Sequence, residues 1–530
     1  MPSYADLREY LRALESRGKL FRVKRPIIKE TELSSFVKLQ YRGLPEEKRI
    51  GFLFEDVRSI TGKKFAMPVS AGIYSSSKDI YALGLGCEPT NQAIEAVWQR
   101  GQLHPIEPSL VESGPVQEVV STGDSVSDEI ESLPIPVEVP GFSGQIRTTT
   151  QFITKDPNTG IRNVGNYSGH IYGPTKIQWE IVHGNHGRLH LNAWKALGRK
   201  TMPAAIVIGA LPPVFFTAAA KIPYGVDELA VAGGMSGGPV RTVRCKTVDL
   251  EVPADAEIVI EGTVSTEELE PGGSFGEYTG YMATETTLRP IFSVTAVTHR
   301  KDPIYVHVMS QFPPSESSVV RHISLENVYL KFLATDCKIP GVLDVAWNET
   351  AQGMWCVIKI KKTNNAQPWQ VLQCASGYEP LLRKYFVVVD EDVDPRDLES
   401  VLWAMAWRVQ PARDVRIING KLPGLDPSAS KPDASYEEKA YPGGVGGSAM
   451  LVDATLKYPY PPVSLPKKEY MDRALAIWKE LGLPDLSLKK PWFGYELGYW
   501  PEELQSDADH IVRGEHYEVG ERLAKKKVKF

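Results

Sequence analysis

Cysteine is scarce in this chain of 530 residues, which has only five. The five cysteines are widely spaced and include no CxxC pair, which argues against a disulfide framework and against a thiolate zinc site. Such cysteine usage is typical of a reducing compartment, so we expect a cytoplasmic protein.

An excess of charge of either sign is also missing. Sixty basic residues stand against 65 acidic ones, for a net charge of −5, so no overall basic field would attract nucleic acid. The stretch most like a membrane span, residues 201–220, is uncharged but contains Pro203, Pro212 and Pro213. The first residues lack the basic and apolar regions of a signal peptide. We therefore expect neither nucleic acid nor a membrane as a partner.

Several catalytic motifs are absent as well. The sequence contains no GxxxxGK(S/T) phosphate loop, no GxGxxG between a strand and a helix, and no HExxH zinc motif. The string GxSxG occurs around Ser236 and Ser274, but neither copy lies between a clear apolar strand and a helix. A serine hydrolase is therefore not favoured.

The apolar pattern predicts a mixed α and β chain. The composition, 42% hydrophobic and 24% charged, is that of a globular protein. Apolar residues recur at helical spacing over 7–14 and predict an opening helix that ends at Gly18. A helix over 316–336 then precedes alternating strands and helices, which are typical of an α/β layer.

Short strands with Gly and Pro turns dominate the middle of the chain, from 145 to 312. This pattern predicts a barrel or a sandwich. Within it, residues 291–299 and 304–309 predict a hairpin that turns at 301–303.

Two groups of polar residues are candidates for chemistry. Four histidines lie within 21 residues, namely His170, His183, His186 and His190. Together with Asn163 and the distant Glu228, they could hold a divalent ion, although a structural role for each histidine is the alternative. Glu277 lies between glycine turns and aromatic residues, where desolvation would raise its pKa and make it a proton donor. The alternative is a solvated loop glutamate.

An ordered set of segments over nearly the whole chain resembles the UbiD family of reversible decarboxylases, which use prenylated FMN. The set consists of residues 163–167, His186 with His190 and Trp194, 222–228, 252–262, 275–281, 402–408 and 453–455. The resemblance implies a flavin-reductase-like split β-barrel that binds the flavin. It also implies a homodimer or hexamer, formed through a C-terminal α/β oligomerisation domain.

The predicted domain organisation follows from this resemblance. It comprises an N-terminal α/β region (1–110), the split-barrel prenylated-FMN-binding domain (111–312), a linker helix (313–340), and the C-terminal α/β domain with its C-terminal helix (341–530).

The resemblance also implies the site residues. A divalent ion, Mn²⁺ in most of the family with Fe²⁺ or Mg²⁺ as alternatives, would bridge to the cofactor phosphate from Asn163, His186 and Glu228. A potassium ion would lie along Thr217, Ala218 and Ala220 and share Glu228. Further cofactor contacts would come from Tyr167, Ser168, Ala219 and Ala220. Glu277 matches the family's catalytic acid.

Three positions depart from the family's pattern, two of them in its acid network. The family's acid belongs to an Arg–Glu–Glu network, but Ser168 stands where the arginine falls and Gly272 where the first glutamate falls. A lysine common in the family appears as Ala449 here. Because one cationic and one anionic side chain are replaced together, the net charge of the network stays balanced. The two replacements therefore indicate a coordinated change.

These observations predict a carboxy-lyase. The expected reaction is the non-oxidative, reversible decarboxylation of an aromatic carboxylic acid or an aryl-CoA thioester such as phthaloyl-CoA. It would proceed through a covalent prenylated-FMN adduct, release CO₂ and use Glu277 as proton donor. One alternative is a non-catalytic UbiD-like subunit of a multi-component carboxylase. Another is a split-barrel flavin oxidoreductase.

Overall fold

The computed structural model describes residues 4–181, 184–283, 288–379, 383–422, 446–494 and 498–528, and within 425–444 the residues 425–429, 431, 434, 435, 438, 442 and 444. In these residues the fold is mixed α and β, as expected, with a strand-rich barrel between an N-terminal layer and a C-terminal sheet. The domain boundaries stay a prediction.

The N-terminal layer combines helices with short strands. Its helices are α1 (Leu7–Ser16), α2 (Leu33–Gly43), α3 (Lys78–Leu85) and α4 (Asn91–Leu103). Its strands are β1 (Leu20–Val23), β2 (Ile27–Ile28), β3 (Gly51–Phe54), β4 (Val57–Arg58), β5 (Val69–Ala71) and β6 (Ser109–Leu110). The opening helix is confirmed: the Asp6 side chain accepts from the Glu9 amide at its start, and Gly18 has a positive φ of 66° just beyond its end.

The middle of the chain supplies the barrel and the helices around it. Its strands are β7 (Val119–Thr122), β8 (Arg147–Lys155), β9 (Arg162–Gly173), β10 (Lys176–Glu180), β11 (Thr201–Ile208), β12 (Arg241–Arg244), β13 (Glu251–Pro253), β14 (Ile258–Pro271), β15 (Phe275–Gly276), β16 (Met282–Ala283), β17 (Leu288–His299) and β18 (Tyr305–His307). Its helices are α5 (Ser125–Ser132), α6 (His186–Ala196), α7 (Pro212–Ala219) and α8 (Glu228–Ser236).

Six antiparallel strands close into the barrel in the order β10-β9-β8-β11-β14-β17, because β10 pairs with both β9 and β17. Along β11 the buried side chains alternate between two cores. Ile206 and Ile208 belong to the largest core, whereas Val207 belongs to a smaller one with α7 and α8. This two-residue period is the reason that a run of apolar residues forms a strand buried on both faces.

The predicted hairpin of 291–299 and 304–309 is wrong. Strand β18 pairs in parallel with β5 of the N-terminal layer, with Tyr305 opposite Val69. Both edges of β17 are already occupied, by β14 on one side and by β7 and β10 on the other. The chain therefore leaves the barrel after 299 and joins the N-terminal sheet, whose order is β1-β3-β5-β18.

The C-terminal part begins with a long helix. This is α9 (Glu316–Lys331), which continues as a wider turn over Phe332–Asp336, so the helix expected over 316–336 is present. The following strands are β19 (Val342–Trp347), β20 (Trp355–Ile360), β21 (Tyr385–Asp390), β22 (Val415–Lys421) and β23 (Gly447–Ala454). The helices are α10 (Gln367–Gly377), α11 (Leu398–Arg408), α12 (Pro411–Asp414), α13 (Lys468–Glu480), α14 (Glu502–Val512) and α15 (His516–Ala524).

Helix α9 connects the two halves of the molecule. Val319 and Ile323 pack in the core shared by the barrel and the N-terminal layer. Leu325 and Tyr329 pack in the core of the C-terminal sheet, whose strand order is β19-β20-β21-β23-β22. The helix therefore fixes one core against the other, and residues from both can line one cavity.

Among the described residues, the search for a helix that is both long and apolar enough to cross a membrane finds none.

Three of the buried histidines should make this fold sensitive to acid, because burial lowers their pKa values. Burial lowers the pKa of His170 and His190 to about 4 and that of His307 to about 3. Since an unfolded histidine titrates near pH ~6.5, the unfolded chain binds more protons below that pH. Stability should therefore be complete above about pH 6.5 and fall as the pH drops toward these lowered values.

The substitution His307→Gln tests this expectation. The variant should lose less in thermal midpoint than the wild type between about pH 7 and about pH 5. The matched control, His516→Gln at an exposed position, should lose as much as the wild type. Equal losses in all three proteins would contradict the assignment.

Candidate active site

A cavity of about 160 Å³ lies where the barrel, α9 and the C-terminal part meet. Strands β8 and β9 line it on one side, and the ends of α6, α7 and α8 on another. Its lining includes every site residue that the family resemblance implied except Thr217, namely Asn163, Tyr167, Ser168, His186, Ala218, Ala219, Ala220, Glu228 and Glu277. The other candidate histidines His170 and His190 do not line it. His183 of the histidine-rich segment lies outside the described residues.

Three of these residues converge from different elements. Asn163 is on β9, His186 begins α6 and Glu228 begins α8. The His186 Nδ1 atom is 3.9 Å from Glu228 Oε1, and the other carboxylate oxygen accepts the Val164 amide at 2.8 Å. An ion pair of 2.7 Å between Arg162 and Asp227, the neighbours of Asn163 and Glu228, joins β9 to α8.

This set fits a divalent cation. Burial raises the pKa of the Glu228 carboxyl, so a cation beside it would stabilise its charged form. The Asn163 side chain is buried, and its amide oxygen is the atom that would ligate the cation. An amide oxygen, an imidazole and a carboxylate are together a donor set for a hard or borderline ion.

The remaining predicted cofactor and potassium residues lie on β9 and at the end of α7. The Thr217 hydroxyl donates to the Pro213 carbonyl at 3.0 Å and so serves its own helix. The Tyr167 hydroxyl accepts the Gly187 amide at 3.3 Å, and burial raises its pKa to about 12. A Cβ at Gly165 would lie 2.4 Å from the Tyr167 ring, so this close approach requires glycine.

Glu277 follows β15 and is buried, with 8% of its surface exposed. Its Oε2 atom accepts the Tyr278 amide at 3.1 Å, and its own amide donates to the Tyr281 carbonyl at 2.9 Å. Burial raises the pKa of Glu277, while Arg147 opposes the shift and Glu180 adds to it. The expected desolvation of this carboxyl is therefore confirmed.

Arg147 on β8 was not among the residues that the sequence singled out. Its side chain is buried and forms an ion pair with Glu138. It donates to the Ser168 hydroxyl at 2.7 Å, and its other bonds go to the carbonyls of Gly276 and Ser310. Burial raises the pKa of Glu138 to about 7, although Arg147 opposes the shift.

A second buried arginine, Arg289 on β17, pairs with Glu180 at the end of β10. His170 lies 3.6 Å from the same carboxylate. Burial favours a higher pKa for Glu180, but His170 and Arg289 together hold its pKa below the usual value. A Cβ at Gly272 would lie 1.1 Å from Arg289 Nη1, so the guanidinium occupies the space that a side chain at 272 would need.

The C-terminal part brings further charge to the cavity. Glu379 pairs with Arg383 at 2.7 Å and with Lys221 at 3.3 Å. Despite burial, which acts in the other direction, these two cations hold the pKa of Glu379 at about 2. The Arg321 guanidinium from α9 lies 3.9 Å from the centre of the Tyr278 ring.

Comparison with known proteins identifies the family. The model of the 3-octaprenyl-4-hydroxybenzoate carboxy-lyase Rift-related domain, UbiD, matches residues 109–313, and that of the C-terminal domain of the same carboxy-lyase matches residues 324–454. The chain belongs to the UbiD family. It is a carboxy-lyase, of the class that decarboxylates with prenylated FMN.

Two relatives and two solved structures show how far the similarity extends. An uncharacterized protein of Aquifex aeolicus (strain VF5) is 34% identical over 519 residues, which is 91% of this chain and 99% of the relative. One from Archaeoglobus fulgidus (strain ATCC 49558 / DSM 4304 / JCM 9628 / NBRC 100126 / VC-16) is 30% identical over 90% of this chain and 99% of its own.

The UbiD-class enzyme HmfF of Pelotomaculum thermopropionicum, solved with prenylated FMN, matches with a TM-score of 0.74 and 28% identity over 88% of this chain and 98% of its own. The vanillic acid decarboxylase of Sedimentibacter hydroxybenzoicus matches with a TM-score of 0.77 and 25% identity over 91% of this chain and 99% of its own.

The contact between Gly272 and Arg289 gives a test of the site's packing. In Gly272→Ala the new methyl would displace the buried Arg289 guanidinium, at a cost of about 1–3 kcal/mol and a few degrees in thermal midpoint. The matched control is Gly377→Ala, because a Cβ there would meet nothing within 4 Å. Equal midpoints for the two variants would contradict the packing described here.

Proposed function

We propose that this enzyme catalyses the reversible, non-oxidative decarboxylation of an aromatic carboxylic acid or an aryl-CoA thioester, with phthaloyl-CoA as one example to test. Prenylated FMN would occupy the cavity, and Glu277 would be the proton donor. The observation that carries the proposal is a buried carboxyl of raised pKa that faces the same cavity as Asn163, His186 and Glu228.

The relatives support this choice of cofactor and substrate class. HmfF is described in complex with prenylated FMN and also with FMN, and the Sedimentibacter enzyme decarboxylates vanillic acid, an aromatic acid. When bound, prenylated FMN supplies the electron sink that loss of CO₂ from an aromatic carbon requires.

The proposed proton step uses Glu277. Because burial raises its pKa, the carboxyl retains a proton at a higher pH than a solvated glutamate does. The bond between the ring carbon and the carboxylate breaks, CO₂ leaves, and the electron pair stays with the substrate. The Glu277 proton then forms the new C–H bond, and the resulting carboxylate is stabilised by Arg147 and Arg321, both of which favour its charged form. In carboxylation the same carboxylate accepts the proton.

The proposed ion sites position the cofactor. Asn163, His186 and Glu228 would hold Mn²⁺, or Fe²⁺ or Mg²⁺, which would bind the flavin phosphate. A potassium ion would take oxygen atoms from Ala218, Ala220 and Glu228, with Thr217 contributing through its backbone. Tyr167, Ser168 and Ala219 would contact the flavin.

The oligomeric state and the cellular location of the enzyme are part of the same proposal. We infer a homo-oligomer, a dimer or a hexamer, acting in the cytoplasm on a small aromatic substrate.

Glu277→Gln is the central test of the reaction. Without a transferable proton, exchange of ¹³CO₂ into the substrate should fall by about 10²–10⁴-fold. The experiment uses the chain loaded with prenylated FMN and a panel of aromatic acids and aryl-CoA thioesters. Glu261→Gln, a change to a buried carboxylate on β14, is the matched control.

The outcome also separates the alternatives. A variant that binds prenylated FMN and manganese normally but exchanges no CO₂ supports the proposal. Full exchange in Glu277→Gln would exclude this residue as the acid. Absence of CO₂ exchange in the loaded wild type would favour a non-catalytic subunit, and consumption of a nicotinamide would favour an oxidoreductase.

A further inference from the structure

The segment that carries Glu277 is held by buried charge on two sides. Arg147 bonds to the carbonyl of Gly276, the residue just before Glu277. Its guanidinium lies 4.5 Å from the centre of the Phe275 ring. On the other side the Arg289 guanidinium lies 5.2 Å from the same ring, and His170 meets the ring edge-on at 4.6 Å.

Arg147 is itself fixed from several directions. Its Nε atom donates to Glu138 Oε2 at 2.6 Å, and its Nη1 atom donates to Ser168 at 2.7 Å. Its Nη2 atom also reaches the Ser310 carbonyl at 3.3 Å, in the connection before α9. Because its bonds reach Glu138 before β8, Ser168 on β9 and the Ser310 carbonyl before α9, the guanidinium is held in one orientation. Its bond to the Gly276 carbonyl then fixes the position of that carbonyl.

The two small residues near this segment are explained by the arginines. Ser168 ends in a hydroxyl that accepts from Arg147, and Gly272 leaves the space that Arg289 fills. Both arginines are buried, with exposed fractions of 3% and 1%. Guanidinium groups so far from water persist only when they are paired, here with Glu138 and Glu180.

We propose that Arg147, fixed by Glu138, is a positioning residue that sets the orientation of the Glu277 carboxyl through the Gly276 carbonyl and the Phe275 ring. The proposal rests on the proposed function, because it assigns Arg147 to the proton step of that reaction. Its structural part concerns only the chain and can be measured on the protein alone.

The charges around Glu277 set the direction of the expected pH effect. Arg147 from β8 and Arg321 from α9 favour the charged carboxylate, and Glu180 from β10 favours the protonated form. Glu138, from the segment before β8, adds a further acidic group nearby. Loss of Arg147 should therefore raise the pKa of Glu277 and shift the Glu277-dependent limb of the pH profile to higher pH.

The first measurement is hydrogen exchange of the amides in residues 275–281 in the full chain. In Arg147→Ser, exchange in this segment should be at least about tenfold faster, because the bond to the Gly276 carbonyl is lost. The double variant Arg147→Ser/Ser168→Arg returns a guanidinium from β9 and should recover much of the protection. Arg147→Lys, which retains the charge without the planar fork, should give an intermediate rate.

Arg408→Gln is the matched control for the loss of a buried arginine. Arg408 is also 3% exposed and pairs with Asp390 and Asp392 in the C-terminal part. This variant should lose stability but leave exchange in residues 275–281 unchanged. If Arg147→Ser does not fold, the comparison of Arg147→Lys with Arg408→Gln decides the question.

The second measurement is kinetic. In Arg147→Lys, which retains the positive charge, we expect kcat for CO₂ exchange to fall by about tenfold or more and KM to change by less than about threefold. In Arg147→Ser, which removes the charge, the pH profile should also shift upward. Unchanged hydrogen exchange in 275–281 together with an unchanged pH profile in Arg147→Ser would overturn the proposal. If the loaded wild type shows no CO₂ chemistry, the proposed function fails, whereas hydrogen exchange still decides whether Arg147 positions the segment.

Discussion

Burial of charge at one end of a closed barrel is the constraint on which the site depends. Ionised groups removed from water destabilise a fold unless each is paired and hydrogen-bonded. Here Arg147 pairs with Glu138, Arg289 with Glu180, and Glu379 with Arg383 and Lys221. These ion pairs balance one another's charge, and beside them burial raises the pKa of Glu228 and of Glu277. A raised pKa at these two carboxyls is what the proposed cation site and the proposed proton transfer each require.

The fold places these groups around one cavity by packing together elements that are far apart in the sequence. After β17 the chain leaves the barrel, and β18 joins the N-terminal sheet. Helix α9 packs in two cores at once. The cavity consequently receives Arg321 from α9 and Arg383 from the C-terminal part beside Asn163 and Glu277 of the barrel region. Since the cavity is shared, movement of the C-terminal part against the barrel would change the charge in the cavity.

Much of this organisation was predictable from the sequence, and the failures have a physical reason. Local periodicity indicated the opening helix, α9 and the strand-rich middle, because these depend on residues close in the chain. The hairpin prediction failed because strand pairing depends on which edges are free, and neighbours far along the chain occupy both edges of β17. The sequence did not predict roles for Arg147 and Arg289 for a similar reason. In the sequence, Ser168 and Gly272 indicate only that the family's arginine and glutamate are missing. The fold shows that guanidinium groups from other strands lie beside these two positions.

The central claim is that this cavity holds prenylated FMN. The most direct measurement is mass spectrometry of the small molecules released on denaturing the protein after anaerobic purification from a host that makes prenylated FMN. The account predicts prenylated FMN in a stoichiometric amount. A folded, metal-replete protein that releases only FMN, or no flavin, would contradict it.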